Sequence, residues 1–171
     1  TAPVITGCPA NINVNNVPGA CATIVSWTEP AATDNCTAAG SLTWTKSHLP
    51  GALFPVGTTT VTYTVADAAS NMATCTFDVI VTDNQVPNAL CKDITINLDA
   101  LGNASIVAAD VDNGSTDNCG IATRTVAPNT FTTVNIGPNV VTLTITDVNG
   151  NVSTCNSTVT VVGTVPPAAY Y

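Results

Sequence analysis

The chain has 171 residues, 45% of them hydrophobic and only 8% charged, and eleven acids against three bases leave a formal net charge of −8. That sign repels phosphate backbones and anionic headgroups, which argues against nucleic-acid and membrane-surface partners. No apolar run approaches the roughly twenty residues of a membrane helix, so no membrane insertion is expected. Threonine, the commonest residue, together with valine favours pleated strands over helices.

From the N-terminus, short strands are expected at residues 12–14, 22–27 and 42–45, punctuated by Gly, Pro, Asn and Asp, with Trp27 and Trp44 in the core. The clearest segment comes next. Val61, Tyr63 and Val65 alternate with Thr60, Thr62 and Thr64, a polar turn runs from Asp67 to Asn71, and Cys75, Phe77, Val79 and Val81 alternate with Thr74, Thr76 and Asp78. Alternation on both sides of a polar turn is an antiparallel hairpin with one face in the core and one in water. Residues 82–87 read as a linker ended by Pro87. Beyond it, strands are expected at residues 94–98, 105–107 and 130–134. A second hairpin then carries Val141, Leu143 and Ile145, a turn from Asp147 to Asn151, and Cys155, Val159 and Val161. No helical periodicity interrupts the series.

The two hairpins belong to a longer repeat. Asp34-Asn35-Cys36 returns as Asp117-Asn118-Cys119, and Asp67-x-x-x-Asn71-x-x-x-Cys75 returns as Asp147-x-x-x-Asn151-x-x-x-Cys155. A repeat of this length is a whole small domain, so the chain reads as two tandem β-sandwiches, residues 1–85 and 86–171. The seven cysteines, without a C-x-x-C pair or Cys/His cluster, indicate disulfides and an oxidising, secreted or cell-surface location. Four cysteines in the first module permit three pairings, and three in the second leave one over. The recurrent leading and trailing cysteines, Cys8 with Cys75 and Cys91 with Cys155, are the equivalent pairs; Cys21 and Cys36 are then left to each other, and Cys119 as a free thiol.

Residues that carry chemistry are sparse. His48, the one histidine, stands beside Leu49-Pro50-Gly51 without a metalloprotease or nucleophile-elbow context, and no reaction is legible. Calcium is a better-founded expectation than catalysis. Asp110, Asp112 and Asp117 offer hard oxygen ligands at one turn, although the run lacks the closing Glu of an EF-hand, and Asp83 at the linker is a further candidate. Asp, Asn, Gly and Ser are also the residues that turns require for local backbone capping, and the turns at Asp67 and Asp147 are read as hairpin turns alone.

Together these residues resemble the hyalin repeat (HYR) family. The first module carries Pro3-Val4-Ile5 leading to Cys8-Pro9, Trp27-x-x-Pro30 leading to Asp34-Asn35-Cys36, Phe54-Pro55-Val56-Gly57-Thr58-Thr59, and the stretch from Val61 through Asp67, Asn71 and Cys75 to Asp83 and Pro87. The second is similar to a divergent relative, with Cys91-Lys92-Asp93-Ile94-Thr95 and Asp117-Asn118-Cys119-Gly120-Ile121; it has Phe131-Thr132-Thr133 where related modules place a cysteine, which the resemblance offers as the reason Cys119 is left over. The resemblance implies two immunoglobulin-like extracellular sandwiches in an all-β chain, an adhesive or structural role, and no catalytic residues.

The expected function is therefore that of a structural protein, a subunit of a surface fibre or filament or a spacer of a large surface protein. Self-association into a homopolymer is its expected partnership, and the tail with Pro166, Pro167, Tyr170 and Tyr171 is its candidate docking element. The alternative is an adhesive module that recognises a surface glycan or protein. Exposed aromatics such as Trp44 or Phe54 would mark the adhesive reading, and burial of both would favour the structural one.

Overall fold

Period-two alternation of Thr with Val, Tyr and Phe builds the longest strands of the computed structural model, which describes residues 1–163. The chain divides into two units, residues 1–84 and residues from 85 onward. The tail residues Pro166, Pro167, Tyr170 and Tyr171 lie outside the described residues.

Unit one contains β1 (Val4–Thr6), β2 (Ile12–Asn15), β3 (Ala22–Val25), β4 (Ala31–Thr33), β5 (Thr43–Lys46), β6 (Ala52–Pro55), β7 (Gly57–Ala66) and β8 (Met72–Thr82). One sheet has the order β2-β8-β7-β5, and β3 with β6 and β1 with β4 form separate two-stranded ladders. The β7–β8 hairpin is antiparallel and sets Val61 opposite Phe77 and Tyr63 opposite Cys75, so one face is wholly apolar. Val61, Tyr63, Val65, Phe77, Val79 and Val81 are buried on that face, while Thr60, Thr74 and Thr76 stand in water. Each such aliphatic or aromatic side chain contributes about 1.5–3 kcal/mol when removed from water. Phe54 of β6 closes the core from the opposite ladder, and Trp27 packs edge-on against Phe54 and Phe77 at centroid distances of 5.9 and 5.3 Å. β2 runs parallel to β8, with Ile12 opposite Val79 and Val14 opposite Val81.

Unit two repeats this frame with β9 (Ile94–Asn97), β10 (Asn103–Ser105), α1 (Ala108–Val111), β11 (Ile121–Ala127), β12 (Thr130–Thr132), β13 (Gly137–Asp147) and β14 (Val152–Val162). Its sheet order is β11-β13-β14-β9, with β10 and β12 paired separately. Val141, Leu143, Ile145, Val159 and Val161 fill the core with Ile106, Val111 and Phe131. β7 and β13 open on Gly57 and Gly137, whose φ values of 117° and 109° few side chains tolerate, so the same corner needs glycine in both units. α1 is a single turn that no periodicity announces: the Asp110 carboxylate accepts the Val107 N–H at 2.8 Å, and Val111 is driven into the core.

Disulfides pin both frames, Cys8 to Cys75 and Cys91 to Cys155, each with Cα atoms 5.9 Å apart. The remaining cysteines depart from expectation. Cys36 is the free, exposed cysteine, whereas Cys21 and Cys119 are each disulfide-bonded, so the pairing of Cys21 with Cys36 and the free Cys119 thiol are both corrected. The reason in unit one is length. Cys21 lies at the corner where β7 begins, its carbonyl accepting the Val56 N–H at 3.1 Å. Cys36 lies where β7 ends, beside Thr37, whose hydroxyl accepts the Ala68 N–H. Ten residues of strand separate those ends, roughly 30 Å, against the 4.4–6.8 Å a disulfide requires, figures that are about the usual ones for strands and bridges.

Candidate functional site

Each unit presents a pair of aspartates on neighbouring turns at the closed end of its long hairpin. In unit one the Asp67 Oδ1 accepts the N–H groups of Ala69 and Asn71 at 2.9 and 2.8 Å, and its Oδ2 accepts the Asn71 side-chain amide at 2.7 Å. This is why Asp and Asn recur four residues apart: the carboxylate organises the turn and the amide completes it. Asp34, at the end of β4, accepts the N–H groups of Cys36 and Thr37 through Oδ2 at 2.9 and 2.8 Å. The amide of Asn71 holds the Asp67 carboxyl below its ordinary value, and the N–H groups of Cys36 and Thr37 do the same for Asp34, against repulsion from Asp67.

The equivalent pair in unit two is more enclosed. Asp147 is 2% exposed; its Oδ1 accepts the N–H groups of Asn149 and Asn151 at 2.8 Å each, and its Oδ2 accepts the Asn151 side-chain amide at 2.8 Å. Burial pushes this carboxyl up, but the hydrogen bonds from Asn151, Asn149 and Gly150 outweigh it and hold it below its ordinary value. Asp117 Oδ1 accepts the N–H groups of Cys119 and Gly120 at 2.8 and 2.9 Å, leaving its buried Oδ2 without a hydrogen-bond partner. Carboxylate oxygens of Asp117 and Asp147 lie within 4.8 Å of each other. The Val148 N–H donates to the Gly120 carbonyl at 3.1 Å and ties the two turns together.

The acids expected to surround Asp117 are committed elsewhere. Asp110 caps α1, and Asp112 accepts from Ser115 through Oδ1 and from the Arg124 guanidinium through Oδ2 at 2.8 Å. Burial pushes the Asp112 carboxyl up, but Ser115 and Arg124 overcome it and hold it low. Among the described residues neither Asp110 nor Asp112 joins a cluster of three metal-ligating groups. Asp83, at the end of β8, is buried and accepts the Asn16 side-chain amide at 2.8 Å. By sequence alone Asp117 groups with Asp110 and Asp112, and Asp147 is a bare hairpin turn. The signal that unites them is the joint recurrence of Asp-Asn-Cys and Asp-x-x-x-Asn in both modules, two motifs that the hairpin brings to one end.

Side chains suited to gripping a sugar or peptide are largely withdrawn. Phe54 is 1% exposed, and Trp44 is half-buried with its ring edge-on to Tyr63 at 6.1 Å. Tyr63 accepts the Trp27 indole N–H at 2.9 Å and donates to Glu29 at 3.2 Å, and Lys46 closes the network with contacts of 2.7 and 2.8 Å to the same carboxylate. Hydrogen bonding to Lys46 holds the Glu29 carboxyl low, and burial raises the Tyr63 hydroxyl. His48 stacks at 5.2 Å on Phe54 and meets Ser47 Oγ, which already accepts the Thr62 N–H. These groups tie the core to its rim.

Residues 1–81 match the HYR domain family. Over 99% of its length the chain is 35% identical to Hyalin of Strongylocentrotus purpuratus, of which it spans 14%, and over 98% it is 36% identical to Hyalin of Lytechinus variegatus, of which it spans 32%. The chain therefore spans a third or less of these relatives. Among solved structures, human mucin-like protocadherin EC1-2 aligns with a TM-score of 0.47 at 12% identity, covering 93% of this chain and 98% of that one.

Proposed function

From the premise that this chain belongs to the HYR family and is an extracellular adhesion-type module, secreted or at the cell surface, we propose that it works as a structural segment of a surface fibre or spacer. The observation that carries the reading is the withdrawal of the aromatics among the described residues: Phe54 is buried, Trp27 packs between Phe54 and Phe77, and Trp44 turns its edge to Tyr63. A module that bound glycan through a loop face would hold such rings in solvent, where stacking is available. Two disulfide-pinned sandwiches in series supply spacing instead, and self-association of copies is the partnership proposed. Electron microscopy of the purified chain at micromolar concentration tests this: filaments or regular oligomers are expected, and a monodisperse monomer that responds on a glycan array would overturn it.

Calcium is the cofactor proposed for unit two. Asp117 and Asp147 would hold it, because their carboxylates approach within 4.8 Å and Asp117 keeps a buried oxygen without a hydrogen-bond partner, the hard-oxygen chemistry that this cation takes. Bound there, the cation would supply charge neutralisation between the two acids. A rise in the melting temperature on adding calcium, lost in Asp117→Asn, is expected; identical melting curves with calcium and with chelator would remove the proposal.

A further inference from the structure

In both units the disulfide joins the segment that enters the sandwich to the strand that leaves it. Cys8 precedes β2 and is bonded to Cys75 within β8, which continues as strand to Thr82. Cys91 precedes β9 and is bonded to Cys155 within β14, which continues to Val162. The spans closed in this way are 67 and 64 positions long.

Tension applied to the two ends of a unit follows the shortest covalent path. In unit one it enters along residues 1–8, crosses the sulfur bridge and leaves along β8 from Cys75, so residues 9–74 lie off that shortest path. The exit segment has little to yield, because a strand at about 3.2–3.4 Å per residue already stands near the fully extended limit of about 3.3–3.6 Å. It is also held on both edges. β2 pairs with it in parallel from Ile12 opposite Val79 to Asn15 opposite Thr82, and β7 pairs antiparallel from Thr62 opposite Thr76 to Gly57 opposite Val81. Next to the bridge, Asn11 accepts the Asp78 N–H at 2.9 Å.

Unit two repeats the path. β9 pairs in parallel with β14 from Ile94 opposite Val159 to Asn97 opposite Val162, and β13 pairs antiparallel from Thr142 opposite Asn156 to Gly137 opposite Val161. Asp93 accepts the Thr158 N–H at 2.7 Å, and Ser157 donates to the Lys92 carbonyl at 2.6 Å. Entry segment, bridge and exit strand are thus fastened together in both copies although the cores differ.

We infer that each unit is a covalently bypassed, nearly inextensible link, a mechanical function in which the sandwich is shielded from the load its own disulfide carries. Among the described residues, those leading to the first cysteine of each unit are the ones that straighten under tension, about 25 Å per unit at the extended limit. Where Cys21 and Cys119 no longer carry disulfides, cleavage of the bridge puts the bypassed span on the load path, and its unfolding under tension releases about 240 Å in unit one and 230 Å in unit two on the same scale. The device is a roughly tenfold difference in reach between oxidised and reduced states. A chain of this stiffness serves the structural role proposed above, on which its biological use rests; failure to form filaments would remove that use and leave the measured lengths unchanged.

The test is constant-force stretching of the full chain between two reference domains. The oxidised chain is expected to lengthen by no more than about 30 Å per unit. For release lengths, a Cys21→Ser/Cys119→Ser background removes the other half-cystines. There, dithiothreitol thiolate attacks one sulfur of a bridge, forms a mixed disulfide and expels the second sulfur as thiolate, and steps of about 240 and 230 Å are expected. In a further Cys91→Ser/Cys155→Ser variant only the longer step needs reductant; if unit two then fails to fold, the reductant steps of the background chain still decide the matter. An oxidised chain that lengthens by more than about 100 Å per unit, with both bridges verified by peptide mapping, would overturn the inference. So would reduction without long steps.

Discussion

Unit one closes its sheet over rings, Trp27 against Phe54 and Phe77 with Tyr63 beneath, whereas unit two fills the equivalent space with Leu143, Ile145, Val159 and Val161, and Phe131 is its one buried aromatic among the described residues. The frame around these fillings hardly changes. Both units keep a parallel strand at the edge of the long hairpin, the glycine corner, the Asp-to-Asn turn and the bridge from entry to exit. Core chemistry is therefore interchangeable as long as volume and face are kept, while backbone-directed features are not. The rim differs too: β1 and β4 form a ladder in unit one, where unit two has α1 and isolated bridges from Asn88 to Thr116 and from Cys91 to Asp112.

The sharpest way to break this comparison is to open the bridges. Cys8→Ser/Cys75→Ser and Cys91→Ser/Cys155→Ser should each cost about 4 kcal/mol on the loop-closure estimate, read as a fall in the calorimetric melting temperature of the unit concerned. Clearly unequal losses would mean that the two frames are not equivalent. Next come the fillings. Leu143→Ala should cost about 3 kcal/mol by transfer and cavity terms, and Tyr63→Phe about 1 kcal/mol, because it strands the Trp27 indole N–H while preserving the ring; chemical denaturation measures both.

The aspartate turns separate the units by burial. Asp147→Ala should cost about 2 kcal/mol through lost charge-assisted hydrogen bonds. Asp67→Ala, in an exposed turn, should cost less, and denaturation midpoints decide the order. Acid acts in the same sense. Asp112 and Asp147 in unit two and Asp34, Asp67 and Glu29 in unit one have depressed carboxyls, so the unfolded chain binds more protons than the folded one as pH falls. Their stabilisation is present in full above about pH 5 and is lost as pH falls through about 4 toward the lower folded values. Melting temperatures measured between pH 7 and pH 3 should show that slope, and Asp147→Asn should flatten it. The smallest effect is expected at Cys36, which should take up a thiol reagent in the native chain. Cys36→Ser should abolish that labelling and leave the melting temperature unchanged.

Both long hairpins are legible in the sequence because a strand with one wet face must alternate, and Thr against Val, Tyr and Phe does so over its whole length. β11 is not legible: an edge strand exposed along most of its residues leaves no alternation to read. β6 hides for another reason, being short and ending in Pro55. The Asp-to-Asn spacing is likewise visible in the sequence, since its hydrogen bonds all fall within one turn.

Composition, alternation and repeat spacing by themselves determined an all-β tandem in an oxidising compartment, because each depends on neighbours a few residues away or on the chemistry of thiols. Which cysteine stays free, and which carboxylates share a turn end, only the tertiary structure decided. Cys21 and Cys36 are near in sequence yet stand at opposite ends of β7, and Asp147 reaches Asp117 rather than Asp112 because β13 and β14 carry its turn there while Arg124 holds Asp112 aside. Such distances are set by the length and direction of strands, which no local spacing encodes.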